Sequence, residues 1–439
     1  MASKARIALI AVASLTLAGL VFAPKIIGLG IRDITINSLV ALIPPESQDQ
    51  IAFDEKQFDS GWFGTTATLK ASYIPFGTEF IAMDFDFNIQ HGPLLFTDDG
   101  PRLGITYAKI TPKSEAGIPL FDQAKDNLAL PNTLVELFAG FDQSLSASLT
   151  VDPISYEENG STLEFSGVSA NLAARADQSA EIVIKMGSLA IEESMNNQSL
   201  LVTGMEIYTQ SSQLNDVLAP SAALFEVSTI KTSGPLSLEL SDLSFSSTLK
   251  SSTNPDAIMM SQHISAPIIA GDLPLESFEW TLEIDELQRR LMADYSQLIA
   301  NLQSQAASDP QAAAQNINLV SQQLTQLLIN NPLAINNTLD AHIYGGSHRA
   351  DLELSWEGLP QLNNIARLDL NEGLAALNFS VDISLDAQAL STSPIADQVN
   401  AYAQQGFIVS DQDRMLITAT LQNSKLVLNG EEILLENFF

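Results

Sequence analysis

The chain has 439 residues, 46% hydrophobic and 16% charged, enough for one large domain or two to three ordinary ones. Its 52 acidic residues against 20 basic ones give a formal charge of −32. With no Lys/Arg cluster to displace counterions from a phosphate backbone, nucleic-acid binding is excluded, and any charged partner should be basic. There is no cysteine, which removes disulfides, thiolate metal sites and cysteine nucleophiles together.

In chain order, the first predicted element is a membrane segment. "MASKARIALIAVASLTLAGLVFAPK" carries Lys4 and Arg6, then an uncharged run in which residues 7–23 would span about 26 Å as a helix. A cleaved signal peptide competes, with sites after Ala18 or Ala23, but Pro24 disfavours the second. An uncleaved anchor is preferred. Charge at Lys4 and Arg6 puts the N-terminus in the cytoplasm and the rest of the chain outside the inner membrane.

From Phe58 onward the dominant period is two. In "FDSGWFGTTATLKASY", Phe63, Thr65, Ala67, Leu69, Ala71 and Tyr73 share a face, while Gly61, Trp62 and Gly64 mark a corner where the first long strand begins. In "EFIAMDFDFNIQH" the apolar side is Ile81, Met83, Phe85, Phe87 and Ile89, with His91 in phase before Gly92 and Pro93. His91 reads as a hydrogen-bonded structural histidine.

The alternation then slips at recurring places. The phase changes at Gly167 (after Leu163 and Phe165), at Gly187 (after Ile184 and Met186) and at Gly204 (after Leu200 and Val202). It changes again near Thr229, and near Asp242 ahead of Phe245. A one-residue slip turns every side chain over unless a bulge or bend absorbs it. Repeated slips predict strands that bend at a similar height, giving a curved antiparallel sheet with an apolar concave side. The alternative is pairs of short strands meeting at turns.

Helical spacing over 285–305 (Leu287, Leu291, Leu298, Leu302) and over 310–330 (Leu319, Leu324, Leu327) predicts a helical hairpin broken at "SDP". Strands resume at 334–356 and in "ALNFSVDISLDA"; a helix is expected over about 387–405. The end reads as a hairpin around Gln422–Ser424 and a tight turn at Asn429-Gly430.

Chemistry-bearing motifs are sparse. His342 and His348 flank "IYGG" with Asp340 and Asp351 nearby, but the glycine turn accounts for them as hairpin-turn residues. His263 has no sequence partner. Acid pairs such as Asp84/Asp86 and Glu431/Glu432 do not show the facing carboxyls that glycoside hydrolysis needs. No nucleophile elbow, zincin, phosphate-loop or dinucleotide motif occurs, so an enzyme is not expected, nor any cofactor or metal.

The apolar N-terminal run, "GWF" at 61–63, "HGP" at 91–93, the helical insert and the terminal "LVLNGEEILLENFF" together resemble the YdgA/YihF-type family of bacterial envelope proteins, over essentially the whole chain. The resemblance implies a single-span inner-membrane protein facing the periplasm, and brings no catalytic residues with it. A looser architectural similarity is to the β-rich AsmA-like envelope proteins associated with lipid movement. The expected fold is mainly β with a minor α component. It comprises a membrane anchor and connecting segment (1–50), a long-stranded antiparallel region (51–284), a helical hairpin (285–332) and a C-terminal β region with one helix (333–439). Two functions are carried forward. In the first, a lipid or other amphiphile lies on an apolar groove including Ile81, Met83, Phe85, Phe87, Phe165, Ile184, Val202 and Phe245. In the second, the protein is a non-catalytic structural component of the envelope meeting a basic protein.

Overall fold

The computed structural model describes residues 51–73, 81–112, 131–294 (except 159, 196, 214, 215, 217, 236, 253 and 293), 321–362 (except 324) and 367–433. The segment 7–23, and residues 295–320 of the predicted hairpin, lie outside the described residues. Among the described residues no helix is long and apolar enough to cross a membrane. The chain divides into two compact units.

Unit one begins with β1 (Ile51–Ser60), β2 (Gly64–Tyr73) and β3 (Ile81–His91), paired antiparallel in sequence order. The short β4 (Leu94–Thr97) and β5 (Gly100–Leu103) pair with each other. β6 (Thr106–Pro112) returns to β3, and β7 (Thr133–Ala139) and β8 (Leu145–Val151) extend the sheet. Alternation places Ala67 opposite Phe87 and Phe87 opposite Ile110. With Leu69, Ile89 and Ala108 these form one buried cluster. Burying a side chain such as Phe87, 5% exposed, contributes about 1.5–3 kcal/mol. The opposite face is polar: Thr68 Oγ1 donates to Asp86 at 2.7 Å, and Lys56 pairs with Asp84.

The chain enters unit two at β9 (Ile154–Glu158) and β10 (Ser161–Phe165), then returns with β11 (Val168–Ala174), which lies against β8. β12 (Ala180–Glu193) starts in unit one and ends in unit two, where Phe165 of β10 faces Leu189. At Gly167 (φ 89°), therefore, the slip is a break between two strands, the alternative reading.

Unit two continues through β13 (Gln198–Ser211), β14 (Ser221–Ser233), β15 (Leu238–Ser251), β16 (Ala257–Ala266), β17 (Ile268–Gly271) and β18 (Leu275–Gln288). β19 (Leu333–Ile343) and β20 (Gly346–Trp356) follow, then α1 (Leu370–Ala376), β21 (Leu377–Asp386), α2 (Ala387–Ser391) and α3 (Ala396–Gln404). β22 (Val409–Asp411), β23 (Arg414–Gln422), β24 (Lys425–Leu428) and β25 (Glu431–Ile433) close the described chain. The antiparallel order runs β13, β14, β15, β16, β18, β19, β20, β21, with the short β17 pairing beside β16 on β15; β23 pairs with β21, β22 and β24.

Three further slips in this unit, at Gly204, near Thr229 and near Asp242, behave as bends. Thr203 pairs with Thr229 and Met205 with Val227; Thr229 pairs with Ser241 and Val227 with Leu243. Ser241 pairs with Ile268 and Ser244 with Ser265. Gly204, Ser228, Asp242 and Pro267 consequently lie in one row across the sheet, and none of the four joins its ladder. Gly204 (φ 63°) and Asp242 (φ 55°) are left-handed, and Pro267 has no N–H to donate. The phase turns over here without loss of register. Ala266 and Ile269 are both buried while the intervening Ile268 is 54% exposed.

Two helix boundaries differ from expectation. β18 runs to Gln288, and helical residues begin at 289, because Leu287 pairs with Ile258 of β16 and Glu286 is left-handed (φ 58°). Leu287 and Leu291 both still reach the same core, from different elements. The helix expected over 387–405 is two helices, since Pro394 cannot donate the amide an unbroken helix needs. α1 was not foreseen: Asp369 caps it, accepting from Asn371 N at 2.8 Å. The terminal turns match expectation. Asn423 and Ser424, then Asn429 and Gly430, have the positive φ pairs of tight hairpin turns.

Candidate functional site

In unit two the side chains of one sheet face form long apolar rows. Phe245 faces Phe225 on β14 and Ile264 on β16; Ile264 faces Trp280, which faces Leu339. The row starts at Ile207 and continues through Ala350, Ile383 and Ile417, so that it crosses nine strands. At a strand spacing of ~4.8 Å it is roughly 38 Å long. One acyl chain occupies about half of the ~30 Å hydrocarbon core of a bilayer, so the row exceeds the length of two such chains. Beyond the bend, Val202, Ile230, Leu240 and Ile269 form a parallel row.

This face is covered at two corners. Ile258, Leu287 and Leu291 form a core against which Leu249, Ile284 and Leu327 pack. Leu390, Val399 and Ile408 form another against Leu385, Met415 and Ile417, so α2 and α3 seat on the β21 and β23 end. Between the corners Phe225, Phe245, Ile264 and Trp280 are only half-buried and Leu339 is 40% exposed. Among the described residues no core cluster includes them.

The other face is hydrophilic. One of its rows runs Tyr208, Leu224, Ser246, His263 and Thr281, then Thr338 and Asp351. Arg349 binds Asp351 through two nitrogens, at 2.7 and 2.9 Å, and Asp340 at 3.2 Å. The Arg349 hydrogen bond is the main reason the Asp351 carboxyl is held below its usual range, with Thr338 adding to it.

The eight predicted groove residues divide between the units. Ile81, Met83, Phe85 and Phe87 lie along β3 and Ile184 on β12 in unit one, while Phe165, Val202 and Phe245 belong to unit two. Phe87 is packed into the core of unit one, with Phe85 half-buried against it.

The Gly-Trp-Phe and His-Gly-Pro residues stitch together strand ends in unit one. Gly61 N–H donates to Gly64 O at 2.8 Å, His91 N–H to Phe63 O at 2.9 Å, and Gly92 N–H to Ile105 O at 2.7 Å. Gly92 lies so close to the Gly104 carbonyl that no Cβ fits there. His91 is 2% exposed with Nε2 2.8 Å from Thr65 Oγ1. At the other end of the sequence, Asn429 accepts from Thr418 N at 2.8 Å and donates to the Gly406 and Phe407 carbonyls, each at 3.0 Å. Both motifs hold backbone together.

A cavity of about 330 Å3 in unit one has a mixed lining, with Asp98, Arg102, Tyr107 and Glu136 beside Phe138 and Leu172. Tyr107 OH donates to Glu136. Burial first, then the Glu136 hydrogen bond and charge, hold its phenol far above the ordinary range. The alternation signal that found the strands carries no information about this pair, which is 29 residues apart in sequence.

The turn histidines do not converge. His342 Nε2 lies 3.4 Å from Glu276, whereas His348 Nε2 is 3.1 Å from the Ile343 carbonyl. Asp340 and Asp351 are engaged by Arg349 instead. Among the described residues no group of three His, Asp or Glu side chains could hold a metal ion.

Fold and site therefore define a mainly β, antiparallel protein with a few short helices and a half-exposed apolar face. The chain belongs to the family of bacterial proteins of unknown function designated DUF945, whose model matches residues 3–436. No curated protein and no solved structure matches it.

Proposed function

We propose that this protein binds the hydrocarbon part of a lipid or other amphiphile on the apolar face of unit two, while residues 7–23 tether it to the bacterial inner membrane with its body in the periplasm. The observation that carries the reading is the half-exposed row from Phe225 to Leu339. Large apolar side chains in a continuous, solvent-accessible band mark a binding surface, because a soluble protein gains nothing by hydrating them. The similarity to the YdgA/YihF type, and the charges flanking 7–23, support the location. The role is non-catalytic: binding requires the surface alone, with neither cofactor nor nucleic acid.

The test is native mass spectrometry with lipid extraction on full-length protein in mild detergent, comparing the parent with Phe245→Asp and Leu339→Asp. Both variants keep residues 7–23, so lipid held by that segment is common to all three. Lipid present in the parent and depleted in the variants supports the reading. Equal lipid in all three sinks it, and the body would then be a structural component whose acidic surface meets a basic envelope protein.

A further inference from the structure

Strands β4 and β5 of unit one form a small hairpin with two unlike faces. Its inner face is fixed three ways. Leu95, 0% exposed, packs against Tyr107 and Phe138. Its cross-strand partner Arg102 lies over the Phe138 ring at 4.0 Å. The Gln90 amide grips Phe96, accepting from its N–H at 2.8 Å and donating to its carbonyl at 2.9 Å. Because side chains alternate along a strand, Leu94 and Phe96 point the other way, opposite Leu103 and Pro101 respectively. Leu94 is 45%, Phe96 64% and Leu103 68% exposed. Close by in the chain path, the Phe63 carbonyl receives the His91 N–H three residues before Leu94, and Trp62 and Phe63 are 42% and 60% exposed.

Such a patch has no folding role, since the hairpin is anchored by its other face. Its own residues carry no ionisable side chain; the adjoining turn holds the exposed Asp98, paired with Lys109 at 2.6 Å, and Asp99. Its occupant is thus neutral at the contact. The hairpin face, four residues long and two strands wide, covers roughly 14 by 10 Å. That is far below the ~800 Å² per partner of a stable protein interface, which argues against a second copy. Rigid aromatic and branched side chains on a turn suit the bilayer interface, where Trp and Phe partition from water.

We propose that Leu94, Phe96 and Leu103, with Trp62 and Phe63, insert into the surface of a zwitterionic lipid bilayer. The inference rests on the reading that residues 7–23 tether the chain to a membrane, and is independent of the apolar face of unit two.

The test uses the full-length chain, in which the absence of cysteine allows single labelling. Phe96→Cys and, as a control, Asn132→Cys at the opposite end of β7 from Ala139 are coupled to a polarity-sensitive dye. Both are reconstituted into phosphatidylcholine vesicles. Flotation with the vesicles, together with blue-shifted emission at 96 that brominated acyl chains quench, and aqueous emission at 132, is expected. Flotation with aqueous emission at 96 leaves the tether standing and overturns the insertion; failure to float overturns both. Quenching at both positions, or disulfide cross-linking of the unlabelled Phe96→Cys protein between copies, also overturns it.

Discussion

The imidazole Nε2 of His91 lies 2.8 Å from Thr65 Oγ1, and both side chains are 2% exposed. The bond joins the last residue of β3 to the second of β2, where Thr65 also reaches Ser60 Oγ at 3.3 Å. His91→Ala removes the nearer of the two partners of a buried hydroxyl and leaves a void, an expected loss of about 2–4 kcal/mol. Guanidinium unfolding of the full chain, followed by a unit-one probe such as fluorescence at Trp62, checks this. An unchanged midpoint would show that the histidine is dispensable to packing.

Gly204 faces Ser228 across the bend in unit two. A Cβ on Gly204 would overlap the Ser228 hydroxyl and approach its Cβ to 2.8 Å, at a left-handed φ of 63°. Gly204→Ala is expected to cost about 1–3 kcal/mol, part steric and part conformational. Ser228→Gly in the same chain should restore the steric part alone, which a double-mutant thermal-unfolding cycle separates. At Asp242, φ 55°, replacement by Gly should be tolerated and replacement by Val should not, because a β-branched residue is strained there.

Tyr107 supplies the pH prediction. Its folded-state pKa is raised by burial and by Glu136, so the folded chain holds the phenol proton more tightly than the unfolded chain. The stabilisation is full below the ordinary tyrosine value of about 10 and is lost as pH rises towards the folded value. In an alkaline absorbance titration, one of the seven tyrosines should ionise late, and the late step should vanish in Tyr107→Phe. A difference curve between the two proteins centred at the ordinary tyrosine value of about 10 would contradict the burial.

Much of the strand pattern was legible because its cause is local. Ala67, Leu69, Phe85 and Phe87 alternate with polar residues, and only one register buries the apolar set. The turn at Asn429-Gly430 was legible for a similar reason, since left-handed pairs select those residue types. Helix ends were less so. Leu287 and Leu291 satisfy helical spacing, yet Leu287 is held in β18 by its pairing with Ile258, a partner 29 positions earlier. Of the groove residues, Phe87 and Phe245 look alike in sequence, but one is core and the other lies in a half-exposed row.

By itself, then, the sequence determined the β character, the acidic surface, the absence of thiol chemistry and the phase reversals at Gly204 and near Thr229 and Asp242, since each follows from a residue and its near neighbours. Tertiary structure alone decided that Gly204, Ser228, Asp242 and Pro267 fall in one line, that Leu95 turns inward while Phe96 stays in water, and that Tyr107 meets Glu136. These relations depend on register between segments far apart in the chain. Register is fixed by the summed burial and hydrogen bonding of whole strands, a quantity that no single stretch of residues contains.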